Sequence, residues 1–264
     1  MTPQRIAELL EPYLGPPDGR RRVPHPFALF AKGWEPRVFE YISTYIDILQ
    51  RWNQRINLTA IRNEEEIVTR HFGESLFAAR HLFPREIESV SSADASFTGT
   101  SAAERRENAA HGASRGSASH QQAAPEGRKR TTLADIGSGA GFPGIPIKLW
   151  APEINLTLIE SNHKKATFLK EITRALTLTN VNIKTARAET LTGTYDVVTL
   201  RAVERFTSIL PAAVRLVTPG GRLALLIGHS QLPLAQSTVP TLVWSAPVPV
   251  PESDSRVLAI ATAT

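Results

Sequence analysis

The stretch from Thr131 to Gly144, TTLADIGSGAGFPG, constrains the fold more than any other part of the chain. A short apolar run ends at Asp135-Ile136 and breaks at once into Gly137, Gly139, Gly141 and Gly144. A strand that gives way to glycine can turn tightly and admit a ligand against bare peptide. Further on, Glu160 closes the next strand-like run, NLTLIE. A glycine loop, then a carboxylate about 20 residues later, is the pattern of a nucleotide-binding half-site, the carboxylate facing ribose hydroxyls.

The residues around this loop alternate between two periods. Strands are expected at 132–136, 155–160, 181–185, 195–200 and 221–227, with helices near 144–150, 164–176 and 207–217. Phe168, Ile172 and Leu176 mark the buried face of the second helix. Such alternation implies right-handed βαβ units and a mostly parallel sheet with helices on both faces. Two late strand-like runs, 241–250 and 255–263, suit an antiparallel pair at the sheet edge.

Upstream, Ile6, Leu9, Leu10 and Tyr13 carry helical spacing, and so do Val38, Ile42, Tyr45, Leu49 and Trp52 over 36–55, with Pro36 in the first turn. Asn63 with Glu66 three residues on reads as a capping box opening a helix that Pro84 ends. Residues 88–130 are rich in Ser, Ala, Gly, Glu and Arg, end in Arg128-Lys129-Arg130, and hold Phe97 as their one aromatic. A segment of that composition cannot bury enough surface to offset its ordering entropy. The expected division is therefore a helical region 1–87, a flexible insertion 88–130 and a nucleotide-binding domain 131–264, an α/β fold with a small helical extension.

Composition narrows the chemistry. The 264 residues contain no cysteine, which removes disulfides, cysteine-ligated metal and a cysteine nucleophile. No metal is expected. No apolar run approaches a membrane span, and the N-terminus lacks the build of a signal peptide, so a cytoplasmic protein is expected. The formal net charge of +5 suits either simple solubility or a polyanionic partner such as RNA.

The glycines fit two registers. Gly139, Gly141 and Gly144 spell the dinucleotide fingerprint, whereas Gly137, Gly139 and Gly141 spell G-x-G-x-G, which resembles class I methyltransferases. The strand ends at Ile136, so Gly137 makes the turn. Pro143 and Pro146 remove amide donors near the helix start that a pyrophosphate needs. Ala188-Glu189 after the third strand and the Pro219-Gly220-Gly221 turn before the fifth agree with the methyltransferase register.

Three stretches carry a narrower resemblance: RWNQRINLTAIRNEEEIVTRH at 51–71 followed by Glu74-Ser75, DIGSGAGFPGIPI at 135–147, and DVVTLRAV at 196–203. The chain resembles the 16S ribosomal RNA guanine-N7 methyltransferases, also called glucose-inhibited division protein B. The resemblance implies a Rossmann-like class I methyltransferase fold and S-adenosylmethionine as cofactor. It implies 16S rRNA or the small ribosomal subunit as partner, and we expect a monomer. It places the cofactor against Gly137, Gly139, Gly141, Phe142, Glu160, Ala188, Glu189 and Arg201. Asn57, Thr59, Arg70 and His71 are the candidates for the acceptor side.

Arg201 is the expected catalytic residue, donating to guanine O6 or holding the methionyl carboxylate; the plainer reading pairs it with Asp196 or Glu189. The chain departs from the family at Ile227-Gly228, where Lys-Gly is usual, at Val203, where Phe is usual, and in the insertion. Guanine N7 has a free lone pair, so no catalytic base is required. Its edge lies in a groove too deep for side chains in paired RNA, so the target is expected unpaired or extruded. The competing readings are a class I methyltransferase of small molecules or proteins, a nicotinamide-dependent oxidoreductase, and a non-catalytic RNA-binding protein.

Overall fold

The computed structural model describes residues 1–15, 37–84, 130–201 and 206–264. Pro36, Ala202, Val203 and the insertion apart from Arg130 lie outside them. One sheet runs through the molecule in the order β3-β2-β1-β4-β5-β8-β6. Its strands are β1 (Thr132–Ile136), β2 (Asn155–Ile159), β3 (Val181–Lys184), β4 (Tyr195–Arg201), β5 (Val217–Gly228), β6 (Val243–Trp244), β7 (Val248–Pro249) and β8 (Arg256–Thr262). The first five are parallel, and β8 closes antiparallel on β5 while pairing β6 and β7 on its other side. From β1 the chain builds outward through β2 to β3, then returns to β1's other side with β4. That reversal opens a crevice beyond the carboxyl ends of β1 and β4, the place where sheets of this kind hold ligands.

The inner strands are mostly apolar because both faces are covered. One face carries Leu133, Leu156, Leu158, Val197, Ala224 and Leu226, packed with the N-terminal helices; the other carries Ala134, Ile136, Val198, Leu200, Leu223 and Leu225. The N-terminal helices are α1 (Pro3–Leu14), α2 (Arg37–Asn53), the single turn α3 (Glu64–Glu66) and α4 (Glu74–Leu82). Later in the chain α5 (Gly144–Trp150) and α6 (His163–Ala175) join the N-terminal helices on the first face, while α7 (Phe206–Arg215) and α8 (Leu232–Thr238) cover the other. Residues Met1–Arg85 and Arg130–Thr264 form one compact unit.

The expected helices and parallel strands fall within a few residues of these bounds, with four differences. The Pro219-Gly220-Gly221 turn lies inside β5 rather than before it. There the register against β4 jumps from Tyr195↔Val217 to Val197↔Arg222, a bulge made at Gly220 with φ of 75°. The 241–250 run is broken into two two-residue strands, as its prolines require. The seven-residue helix α8 was not read, its pattern being too short to show a period. Last, the helix that opens at Asn63, whose side chain accepts from the Glu66 amide as expected, widens into a π-helical stretch over Ile67–Gly73 before α4. Gly73 lies flat against the Tyr13 ring: a Cβ there would come within 2.6 Å of it. His71 sits in this widened turn, a device that in other proteins re-aims side chains at functional sites.

Candidate functional site

At the carboxyl end of β1 the backbone folds back through Gly137, Gly139 and Gly141, all with positive φ (67°, 54° and 88°). Four of its amides point inward. Gly137 and Ser138 donate to the Ile159 carbonyl at 2.9 and 3.1 Å, Gly141 to the Ser138 carbonyl at 2.6 Å, and Gly139 to Glu160 Oε2 at 2.9 Å. Glu160 Oε1 accepts from the Asn162 amide at 2.7 Å, so the carboxylate ties the loop to the turn after β2. A little further, the Gly144 amide donates to Asp135 Oδ2 at 3.2 Å. Gly144 admits no side chain, since a Cβ would meet Asp135 and Leu158 below 3 Å.

Beneath the loop Asp135 is fully buried. Burial raises its carboxyl to about 7, and the hydrogen bonds from Thr199, the Gly144 amide and Ser138, with the Arg201 charge, resist that rise. Above it the N-terminal helices clamp the loop through aromatic rings. Phe142 stacks between Tyr45, at 5.3 Å and 6°, and His71, at 4.7 Å and 20°, with Phe72 edge-on at 5.1 Å. The Tyr45 hydroxyl donates to the Ala140 carbonyl at 2.5 Å.

His71 is fixed at both nitrogens. Nδ1 lies 3.0 Å from a guanidinium nitrogen of Arg201, and a guanidinium only donates, so Nδ1 accepts and the ring proton sits on Nε2. From there it is donated to the Thr59 hydroxyl at 2.7 Å. Burial, then the charges of Arg201, Arg70 and Arg256, carry this imidazole down to about 3 from its ordinary 6.5, so it is neutral. Thr59 is held in turn by Asn53, whose Oδ1 accepts from the Leu58 and Thr59 amides and whose Nδ2 donates to the Thr59 carbonyl.

Arg201, at the end of β4, is the hub of these contacts. It donates to the Arg70 carbonyl at 2.6 Å and to Glu74 Oε2 at 3.0 Å. The other oxygen of Glu74 pairs with Arg256 at 2.9 Å. Glu74 is only 2% exposed, against 10% for Arg201 and 25% for Arg256. One buried carboxylate thus joins two guanidiniums from opposite sides of β5. The plainer sequence reading is corrected here: Arg201 pairs with neither Asp196 nor Glu189. Asp196 accepts instead from the Thr132 amide and hydroxyl, both at 2.8 Å, while Glu189 is exposed on the turn after β3.

The sequence-derived residues therefore fall in two groups. Gly137, Gly139, Gly141, Glu160, Ala188, Glu189 and Arg201 all lie at the carboxyl ends of β1 to β4. Thr59, Arg70 and His71 arrive from the N-terminal helices and meet Arg201 directly or through His71, whereas Asn57 is exposed on the loop that Thr59 shares. Phe142 is 6% exposed, its ring taken up by the stack. Sequence reasoning missed Glu74 and Arg256. Glu74 stood in the quoted 51–75 signature, and its appearance inside an otherwise apolar helix face was the available signal. Ile227 is 5% exposed among Ile136, Leu225 and Val257, on an apolar face where a charged side chain would be costly. Among the described residues no cluster of His, Asp or Glu could hold a metal ion, and no helix is long and apolar enough to cross a membrane.

The family described as GidB, rRNA small subunit methyltransferase G, matches residues 39–91 and 116–238. The chain belongs to that family. Curated relatives named ribosomal RNA small subunit methyltransferase G include one from Roseiflexus castenholzii, 35% identical over 71% of this chain and 64% of the relative. Others come from Bacillus subtilis, 28% identical over 85% of this chain and 82% of the relative, and Xanthomonas campestris pv. campestris, 33% identical over 70% and 66%. This chain thus spans about two thirds of the length of the Roseiflexus and Xanthomonas relatives. The matched segments take in the Thr59 loop, the His71 turn, the glycine loop and Arg201; β8 and its Arg256 lie beyond them.

Two outcomes follow from the buried charges. For His71 the folded value of about 3 lies below the ordinary 6.5, so between these pH values the unfolded chain holds one more proton. The His71 contribution to stability is complete above pH 6.5 and is lost as pH falls toward 3. Asp135, raised to about 7, acts in the opposite sense as pH rises through 3.8 to 7, so the histidine is isolated by difference. Denaturant titrations from pH 7 to 4 will show wild type losing about one proton's worth more stability than His71→Phe; parallel curves contradict the assignment. Glu74→Gln will lower the unfolding free energy by about 3 kcal/mol, because two guanidiniums lose their shared anion. Adding Arg201→Met will return part of that loss, and a Glu74→Gln effect below about 0.5 kcal/mol refutes the shared-carboxylate account.

Proposed function

We propose that this protein transfers a methyl group from S-adenosylmethionine to N7 of an unpaired guanine in 16S rRNA, as a cytoplasmic enzyme of rRNA processing. The observation that carries the cofactor assignment is the direction of the loop amides. A pyrophosphate needs free N–H groups at such a loop. Here the amides of Gly137, Ser138, Gly139 and Gly141 are already spent on Ile159, Glu160 and Ser138, and Pro143 has none. What the loop offers instead is a carboxylate and bare peptide, which suits a ligand bearing ribose hydroxyls and a positive sulfur and argues against a nicotinamide dinucleotide. Family membership and the names of its relatives support the acceptor assignment.

When bound, the cofactor supplies an activated methyl group on a sulfonium sulfur. Gly137, Gly139 and Gly141 would leave room for it, Glu160 would accept from the ribose hydroxyls, and Ala188-Glu189 would border the adenine. The remaining work is alignment of the acceptor, worth several orders of magnitude in rate when two reactants are held in line. Arg201 is oriented by Glu74, the Arg70 carbonyl and His71, which take three of its five donor positions; in this proposal the remaining N–H groups are the ones available to fix the guanine. Neutral His71 is a positioning residue. Its acceptor nitrogen is occupied by Arg201, and attack by guanine N7 releases no proton that must be taken up before transfer. The proposed catalytic unit is a monomer.

Mass spectrometry of 16S rRNA nucleosides tests the reading. Cells lacking the protein will lose one 7-methylguanosine per 16S molecule and regain it on complementation, but not with Arg201→Ala. An unchanged 7-methylguanosine content in the deleted strain refutes the acceptor assignment.

A further inference from the structure

The outward face of α6 has a charge pattern that neither packing nor the proposed reaction explains. The helix buries Ala166, Phe168, Leu169 and Ile172. Opposite them His163, Thr167, Lys170 and Arg174 follow at spacings of four, three and four residues, all exposed, with exposed Lys164 beside the first. Along an α-helix that stripe is about 16 Å long. The helix contains four lysines and arginines and a single acid, Glu171. That acid is turned away, accepting from Trp52 Nε1 at 2.9 Å.

Among the described residues none of these four cations makes an ion pair. Among the same residues exposed Arg37, Arg51 and Arg55 are without ion pairs too, and what sets α6 apart is that its cations follow one another along a single exposed face beside the site. Arg5 pairs with Glu8 and Glu65, and Arg201 and Arg256 pair with Glu74. The acids collect elsewhere, as in Glu64-Glu65-Glu66 of α3. The stripe also starts at the site. Asn162, whose side chain caps α6 by accepting from the Lys164 and Lys165 amides, donates its own amide to Glu160. Exposed Arg187, just past β3, stands on the same side of the glycine loop as the second and third strands.

We propose that this face of α6 docks the phosphate backbone of the acceptor RNA on the flank of the extruded guanine. The inference rests on the function proposed above. Unpaired surface cations in a row, leading into the site, match a polyanion that carries one charge per nucleotide, and such contacts fix register without reading sequence. The guanine is then chosen by the pocket around Arg201, while α6 sets how the RNA approaches it.

The test compares wild type, the variant Lys164→Gln/Lys170→Gln/Arg174→Gln, and a control losing equal charge on α1 and α2, Arg5→Gln/Arg37→Gln/Arg51→Gln. Filter binding to 16S rRNA is measured across a salt series, and methyl transfer is measured in parallel. Three lost phosphate contacts reduce the slope of log K against log salt by about 2. The α6 variant will show that reduction and about a tenfold rise in KM for RNA, with the loss in KM rather than kcat; the control will keep the wild-type slope. An α6 variant with the wild-type slope and KM overturns the proposal, as does a control that shifts equally. RNA binding is read without turnover, so wild-type protein that binds but does not methylate 16S rRNA counts against the parent reading and not against the docking face. Wild-type binding with no salt dependence counts against the docking face alone.

Discussion

The hydrogen bond from the Gly139 amide to Glu160 decides what this site can hold. It closes the glycine loop on itself. With the bonds from Gly137 and Ser138 to the Ile159 carbonyl, it leaves little for a phosphate to accept from. It also plants a carboxylate at the rim of a crevice whose position is set by the sheet, where β2 and β4 leave β1 in opposite directions. A loop of the same glycine spacing with its amides turned outward would suit a dinucleotide. Chemistry here therefore follows from amide direction, and glycine spacing alone does not fix it.

A second constraint orders the acceptor side. Arg201 must leave the end of β4 in one direction, and it does so because a buried carboxylate, a carbonyl and a neutral imidazole surround it. The N-terminal helices provide all three. They are packed onto the glycine loop by the Tyr45–Phe142–His71 stack, which joins the part of the molecule that holds the loop to the part that orients the arginine. Histidine serves this role only while uncharged, and burial beside three arginines keeps it so.

Much of this was legible in the sequence for a physical reason. Strand–helix alternation, the break at Gly137 and the carboxylate at Glu160 are local signals, each set by period or by backbone freedom within a few residues. His71, Thr59 and Arg70 came from the resemblance, and their meeting with Arg201 was not derivable from spacing. The Arg201–Glu74 pair spans 127 residues, and Arg256 joins it from an antiparallel strand that the sequence offered only as an edge. Long-range charge pairing leaves no periodic trace, so Asp196 and Glu189, near in sequence, were the natural but incorrect partners. The π-helical turn that carries His71 leaves no periodic trace either, and it packs at Gly73 against Tyr13 of α1, a contact some sixty residues apart in sequence.

Calorimetric titration of the full chain with S-adenosylhomocysteine and, separately, with NAD addresses the central claim most directly. The account predicts saturable binding of one S-adenosylhomocysteine per chain, abolished by Glu160→Ala, and no heat from NAD. Saturable NAD binding with no response to S-adenosylhomocysteine would contradict it.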